Sequence, residues 1–174
     1  MGPTQLAHAA SNPAVGGPAV LLGHPLGHVE SAGAEGDRRH EPGPGGSLPP
    51  VDYDLRLPVW QRRPVDVLLD VNVLHVTPWA VAEALFAGAG RILRPGGPLA
   101  VYGPFPPRDA PLAGRLLRLD RELRAHDPAL GVRVIESLDD AAVRGGLRRE
   151  AVIAMPEEGD VLVVYRAGQP APRP

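Results

Sequence analysis

Glycine and proline are distributed unevenly along the chain, and this limits where a packed fold can form. The first 50 of the 174 residues contain 10 Gly and 8 Pro. Because proline lacks a backbone donor and glycine loses the most entropy on ordering, such a segment rarely forms regular structure. Its best apolar run, at 20–22, is flanked by Gly and Pro. We predict a disordered arm over 1–48, a folded domain over 49–168 and a disordered tail over 169–174.

Side-chain chemistry excludes several classes of function. The chain has no Cys, and its 18 basic residues are all Arg, so thiolate chemistry, Schiff-base lysines and a P-loop lysine are excluded. The formal net charge of −2 indicates no attraction to nucleic acid or to an anionic membrane surface. His24 and His28 have the spacing of two ligands on a helix, but Pro25 and Gly27 lie between them, so we expect no metal site.

The location of the protein follows from what the sequence lacks. The N-terminus has neither a basic region nor a long apolar region of the kind found in secretory signals. No run of about 18 apolar residues is present, so we expect no membrane partner. A cytoplasmic protein is the default expectation.

Beyond residue 49 the hydrophobic pattern becomes regular. Residues 65–71 (VDVLLDV) and 99–102 (LAVY) predict two short buried strands. Thr77 followed by Pro78 predicts the start of a helix between them, which the Pro and Gly residues at 95–97 end. The sequence thus places one helix between two consecutive strands.

The second half of the domain continues with helices and ends with two strands. Leucines at 112, 116, 119 and 123 predict a helix with an apolar stripe that we expect in the core. Residues 137–140 (SLDD) resemble a capping box that opens a third helix, closed by two glycines at 145–146. The runs 149–155 and 160–166, joined by four residues, predict a terminal hairpin.

The order of elements predicts an α/β fold with a mostly parallel sheet and a carboxyl-terminal antiparallel hairpin. If the arm is disordered, the 65–71 strand has one open edge. An open apolar edge is a pairing liability. We therefore expect marginal stability or self-association through this exposed sheet edge.

Several motifs in a fixed order resemble one known family. They are an L-R-P-G-G link at 93–97, N-x-x-H at 72–75, P-W at 78–79, Y-G-P-F at 102–105 and G-V-R at 131–133. Over residues 49–167 the chain resembles the methyltransferase-like family DUF938, also called uncharacterised protein family 0585, which includes relatives of methyltransferase-like protein 26. This resemblance implies a Rossmann-like class I methyltransferase fold, S-adenosylmethionine (SAM) as cofactor and a small-molecule methyl acceptor of unknown identity.

The chain also departs from the pattern of this family. The glycine-rich E-x-A-S-G-x-G-Q-H turn that cradles the cofactor is missing, since the Gly-rich run at 43–46 follows no predicted strand. The S-N-x-x-F-D run appears as 115–120, where Asp120 is retained, and both amides of M-P-A-N-N are lost. We therefore expect an incomplete fold with impaired or absent activity.

The candidate site residues follow strand ends, where open parallel sheets bind ligands. Asn72 is a candidate cofactor contact and His75 a candidate acid/base, or both satisfy loop backbone groups. Tyr102 is a candidate catalytic phenol and Gly103 permits close approach of substrate, or both simply end a strand. The resemblance places Asp54 near the adenine, although a surface carboxylate is favoured here.

The resemblance also makes Asp120 a candidate substrate contact. The Arg residues interleaved with Asp120 and Glu122 on the same helix favour a solvated face over an anion site.

Three accounts of the whole chain remain open. It is a SAM-dependent methyltransferase, a non-catalytic remnant or interaction module, or a mis-started or frame-shifted reading of a normal family gene. The last account follows from the abrupt change of composition where the resemblance begins, and translation of the upstream DNA in all three frames tests it.

Overall fold

The computed structural model describes residues 6–12, 17–23, 51–52, 55–56, 64–157 and 159–168. Within these residues seven strands form one sheet, and three helices accompany it. The strands are β1 (Leu6–Asn12), β2 (Gly17–Gly23), β3 (Val51–Asp52), β4 (Val67–Val71), β5 (Pro98–Gly103), β6 (Leu147–Ala154) and β7 (Val161–Ala167). The helices are α1 (Trp79–Ile92), α2 (Gly114–His126) and α3 (Ile135–Arg144).

The sheet is mixed, with two parallel and four antiparallel pairings among the described strands, whereas the element order predicts a mostly parallel sheet. Its strand order is β3-β1-β2-β4-β5-β7-β6. β4 pairs in parallel with both β2 and β5, while β7 pairs antiparallel with β5 and with β6. Parallel neighbours need a crossover, which α1 supplies between β4 and β5. The α/β prediction and the terminal hairpin are confirmed.

The segment predicted to be a disordered arm contains two of these strands. β2 pairs with β4 over five residues, from Ala19 opposite Val67 to Gly23 opposite Val71, and β1 pairs antiparallel with β2. The physical reason is the open edge of β4, because its unpaired backbone groups gain hydrogen bonds from an extended segment. The other residues of the arm, and those of the tail from 169 on, lie outside the described residues.

Two helix starts differ from the sequence prediction. Trp79 begins α1 and Pro78 is its N-cap, while the Thr77 hydroxyl donates to the Val73 carbonyl oxygen at 2.9 Å. Ile135 begins α3, so Ser137 lies inside the helix and does not cap it. At α1 the Thr77 hydroxyl bonds to the Val73 carbonyl oxygen and therefore does not cap the helix. At α3 the N-cap is Val134, an extended residue whose side chain makes no capping hydrogen bond.

The hydrophobic core lies between one face of the sheet and helices α1 and α3. Leu68, Leu99 and Tyr165 are neighbours in register and are fully buried on this face. The Phe86 ring of α1 meets the Tyr165 ring edge to face, with centroids 5.2 Å apart. The Tyr165 hydroxyl donates to Asp139 Oδ1 at 3.0 Å, which satisfies its buried polar atom.

Helix α2 does not belong to this core. None of its residues is fully buried, so the leucine stripe is half-buried, contrary to the prediction. Its contacts run to loops at the carboxyl edge of the sheet: Leu116 lies against Gly159, and Asp120 accepts a hydrogen bond from the Val132 N–H. A helix that packs on loops leaves part of its apolar face open to solvent.

The apolar face of the sheet carries one buried acid. Asp70 shares the inward direction of Leu68 on β4 and lies in register with the buried Val101 of β5. Neither carboxylate oxygen has a hydrogen-bond partner of ordinary geometry among the described residues. Burial raises the pKa of Asp70 well above its ordinary value, and the Val73 backbone opposes this only in part. The folded state therefore favours the protonated acid.

We expect Asp70→Asn to remove a dependence of stability on pH. Because the folded pKa is raised, the contribution of Asp70 to stability is fully present below about pH 4 and is lost as pH rises through the folded pKa. The free energy of unfolding of the variant, relative to the unchanged chain, should rise with pH by at most about 1.4 kcal/mol per pH unit. Urea unfolding at several pH values measures this. Ile92→Val, a substitution of a buried residue that removes no titratable group, is the control and should show no such rise.

Candidate active site

The loop that follows β4 brings polar side chains to the carboxyl edge of the sheet. Asn72 turns the chain in a left-handed conformation (φ 58°), and its N–H donates to the Tyr102 carbonyl oxygen at 3.0 Å. This bond fastens the start of the loop to the end of β5. The N-x-x-H motif therefore lies where parallel sheets bind ligands.

His75 is buried in this loop without a hydrogen-bond partner for its ring. The residue is 2% exposed, and its imidazole packs against Phe105 with ring centroids 4.5 Å apart. Among the described residues no group of suitable geometry bonds Nδ1 or Nε2. Burial lowers the pKa of His75 to about 4; Arg133 acts in the same direction, while the Gly131 backbone and Asp160 oppose it. The ring is therefore neutral at neutral pH, and burial makes it a weaker base than an exposed histidine.

Gly103 ends β5 against this imidazole. A Cβ atom at Gly103 would lie 2.7 Å from His75 Nε2 and 3.2 Å from Asn72 Oδ1. These two side-chain atoms thus converge on a single point above β5. The space that a side chain would fill at Gly103 is occupied by the His75 ring, which gives this glycine a packing role.

Tyr102 belongs to a second polar group on the neighbouring strand ends. Its hydroxyl donates to Asp160 Oδ2 at 2.9 Å, and Arg115 of α2 pairs with Asp160 Oδ1. The hydrogen bond with Asp160 is the largest cause that raises the pKa of Tyr102. The phenol therefore keeps its proton, so it can donate a hydrogen bond or orient a neighbour but is a poor base.

The two remaining candidates lie elsewhere. Asp120 accepts a hydrogen bond from the Val132 N–H and pairs with Arg124, both at 2.9 Å. It is linked to the site through the loop after α2, because the Gly131 N–H donates to the His75 carbonyl oxygen at 3.1 Å. Asp54 lies outside the described residues.

Three residues of this site were not among the site candidates predicted from the sequence, although two of them, Phe105 and Arg133, belong to the Y-G-P-F and G-V-R motifs. Asp160, Phe105 and Arg133 contact or act on Tyr102 and His75. The predicted hairpin contained the signal for Asp160, because antiparallel pairing places the start of β7 at the end of β5, with Val161 opposite Gly103. Phe105 and Arg133 depend on loop conformations that no periodicity encodes.

The described part of the chain contains neither a metal-binding cluster nor a membrane-spanning helix. No group of three or more His, Asp or Glu there is arranged to hold a metal ion. No helix in the same residues is long and apolar enough to cross a membrane.

The fold is similar to that of several solved structures, which include O-methyltransferases. Mitomycin 7-O-methyltransferase MmcR has a TM-score of 0.58 at 19% identity, covering 68% of this chain and 33% of its own. LepI, solved in complex with SAM, has a TM-score of 0.57 at 11% identity, covering 67% and 29%. An O-methyltransferase family protein from Burkholderia thailandensis has a TM-score of 0.53 at 13% identity, covering 62% and 32%.

These similarities define a protein with a methyltransferase-like fold that spans about a third of the length of those structures. The particular family is given by the sequence itself. The chain belongs to DUF938, a family of proteins of unknown function, whose profile matches residues 39–166. The resemblance inferred from the N-x-x-H and Y-G-P-F motifs is confirmed.

We expect Gly103→Ala to disturb His75 and to destabilise the protein. The added methyl group would overlap the ring, which is enclosed by Phe105, so the cost should be about 1–3 kcal/mol of unfolding free energy. Urea unfolding and the NMR signals of the His75 ring measure both effects. Gly168→Ala is the control, because its Cβ would meet only the Gly146 carbonyl oxygen at 3.3 Å. Equal, small effects of the two variants would contradict a close contact at Gly103.

Proposed function

We propose that this chain carries the acceptor side of a SAM-dependent methyltransferase site, with impaired or absent activity. The observation that supports this most directly is His75, a neutral imidazole at the carboxyl edge of the sheet whose ring nitrogens have no partner among the residues that the structure describes. Buried polar atoms usually have partners, so orphaned nitrogens here are consistent with a group that acts on a ligand. The methyl acceptor is a small molecule whose identity stays open.

The residues on the acceptor side fit this chemistry. SAM, when bound, supplies an electrophilic methyl group. An acceptor hydroxyl or amine loses a proton when it is methylated, and the neutral His75 ring can take that proton. In this proposal Tyr102 and Gly103 shape the acceptor side, Asn72 and Asp54 contact the cofactor, and Asp120 contributes to substrate binding through the loop that it holds.

Two observations support impaired activity. The sequence lacks the glycine-rich turn that lets a backbone approach the cofactor closely. The His75 ring is also closed in by Phe105 and by the backbone at Gly103, which leaves little room for an acceptor beside Nε2. The missing glycine-rich turn also favours the alternative that the domain is a non-catalytic remnant or interaction module.

Calorimetric titration with SAM and with its demethylated product tests the proposal. We expect no saturable binding tighter than about 1 mM, which corresponds to about −4 kcal/mol. Micromolar binding that Asn72→Ala weakens at least tenfold would instead indicate an intact cofactor site and a competent enzyme. Arg144→Gln, which breaks an exposed ion pair with Glu83, is the matched control and should bind like the unchanged chain.

Self-association is a further part of this proposal, and it depends on β2. Because β2 covers the edge of β4, association through that edge requires its displacement. Leu21→Pro removes a backbone donor from the middle of β2, which pairs on both sides, so we expect association that increases with concentration. Sedimentation velocity measures it. Leu21→Ala keeps the donor and is the control, and equal sedimentation of the two variants would contradict this account.

A further inference from the structure

Arg133 lies beside the site and contacts the loop that carries His75. Its guanidinium donates from Nε to the Leu74 carbonyl oxygen at 3.4 Å and from Nη2 to the Thr77 carbonyl oxygen at 3.2 Å. These acceptors are one residue before and two residues after His75. One planar side chain thus holds both ends of the segment that contains the imidazole.

The guanidinium is itself held in place. Nη2 also donates to the Ala129 carbonyl oxygen, and the guanidinium lies 5.8 Å from the centre of the Trp79 ring. Arg133 is half-buried, and burial is the largest cause that lowers its pKa, yet it stays charged at neutral pH because an arginine pKa starts above 12. Partial burial of a cation costs free energy, and the three bonds to backbone carbonyls offset this cost in one orientation of the side chain.

The loop that supplies Arg133 is fixed from two further directions. The Gly131 N–H donates to the His75 carbonyl oxygen, and Asp120 of α2 accepts from the Val132 N–H. Three consecutive residues, 131–133, are therefore all engaged in joining α2 to the His75 loop. This explains the G-V-R motif, which the methyl-transfer proposal alone leaves without a role.

We propose that Arg133 is the positioning residue of this site, because its forked guanidinium fixes the His75 loop on both sides of the imidazole. The inference rests on the proposed function for what His75 does. It concerns the placement of the ring, which can be measured without any methyl transfer. Lysine cannot replace it, because a single ammonium group cannot span three carbonyls in the plane that a guanidinium offers.

The environment of His75 provides the readout. The charged groups that act on the ring are Arg133, which lowers its pKa, and Asp160, which raises it. Loss of the fork would let the 72–78 loop open and admit water, and relief of burial raises the pKa of a histidine. A purely structural brace elsewhere would leave the titration of this ring unchanged.

The test is the pH titration of the His75 ring in the full chain, followed by long-range 1H–15N NMR, with His75→Gln identifying its signal. We expect a pKa of about 4 in the unchanged chain. In Arg133→Gln and in Arg133→Lys it should rise to about 5 or higher, at least a tenfold gain in proton affinity. Arg144→Gln, outside the site, should leave it at about 4.

The two Arg133 variants separate positioning from charge. Lysine keeps the positive charge but loses the forked geometry. If the His75 pKa stays at about 4 in Arg133→Lys but rises in Arg133→Gln, Arg133 acts only as a charge, and the inference is overturned. An unchanged pKa in both variants would overturn it too. If Arg133→Gln does not fold, Arg133→Lys decides alone. The titration of His75 does not require cofactor binding. The positioning role of Arg133 and the proposed methyl-transfer function can therefore fail independently of each other.

Discussion

The parallel pairing of β4 with β5 is the constraint on which the rest of the structure depends. Two parallel neighbours cannot be joined by a tight turn, so the chain crosses over through α1, and α1 in turn covers the face that carries Leu68 and Leu99. The same pairing brings both carboxyl ends to one edge of the sheet. Asn72, His75 and Tyr102 are neighbours in space for this reason alone, although about 30 residues separate the two motifs.

Some polar side chains at this edge have hydrogen-bond partners and others do not. This difference distinguishes groups that stabilise the fold from groups that are candidates for function. Asp160 is buried but bonded by Tyr102 and Arg115, as a stable buried carboxylate must be. Within the described part of the chain, the ring of His75 has no such partner of ordinary hydrogen-bond geometry. Leaving a buried polar atom unpaired costs about 1–3 kcal/mol, which a fold recovers only through packing elsewhere. The free-energy cost of the unpaired His75 ring is therefore the feature that most favours a functional role for this residue at the carboxyl edge of the sheet.

The similarities to known proteins concern the fold, and they leave cofactor binding as a separate question. The match to DUF938 covers residues 39–166, and the methyltransferase-like structures share the fold at low sequence identity. The residues that the family match covers include the edge of the sheet where the proposed site lies. The element that would cradle the cofactor is a glycine-rich turn, which depends on a particular sequence and not merely on strand order. A methyltransferase-like fold in this chain therefore does not by itself imply that the chain binds the cofactor.

Local patterns in the sequence were sufficient for the elements between 65 and 167. Residues 65–71 and 99–102 are apolar runs of strand length, and Pro and Gly mark the helix ends, so these elements were predictable to within a few residues. The motifs at 72–75 and 102–105 likewise identified the family and four of the candidate residues. Such features need only information from neighbouring residues.

Other features were decided by tertiary structure. The pairing of β2 depends on an open edge about 45 residues away, which outweighs the poor strand propensity of a Gly/Pro-rich segment. The half-exposure of the α2 leucines depends on which loops lie beneath them, and the contacts of Asp160 and Arg133 depend on how distant loops meet. The sequence by itself determined the strands and helices between 65 and 167 and the family of this protein. Only the tertiary structure decided which polar groups are paired, because burial and hydrogen bonding arise between segments that are far apart in the chain.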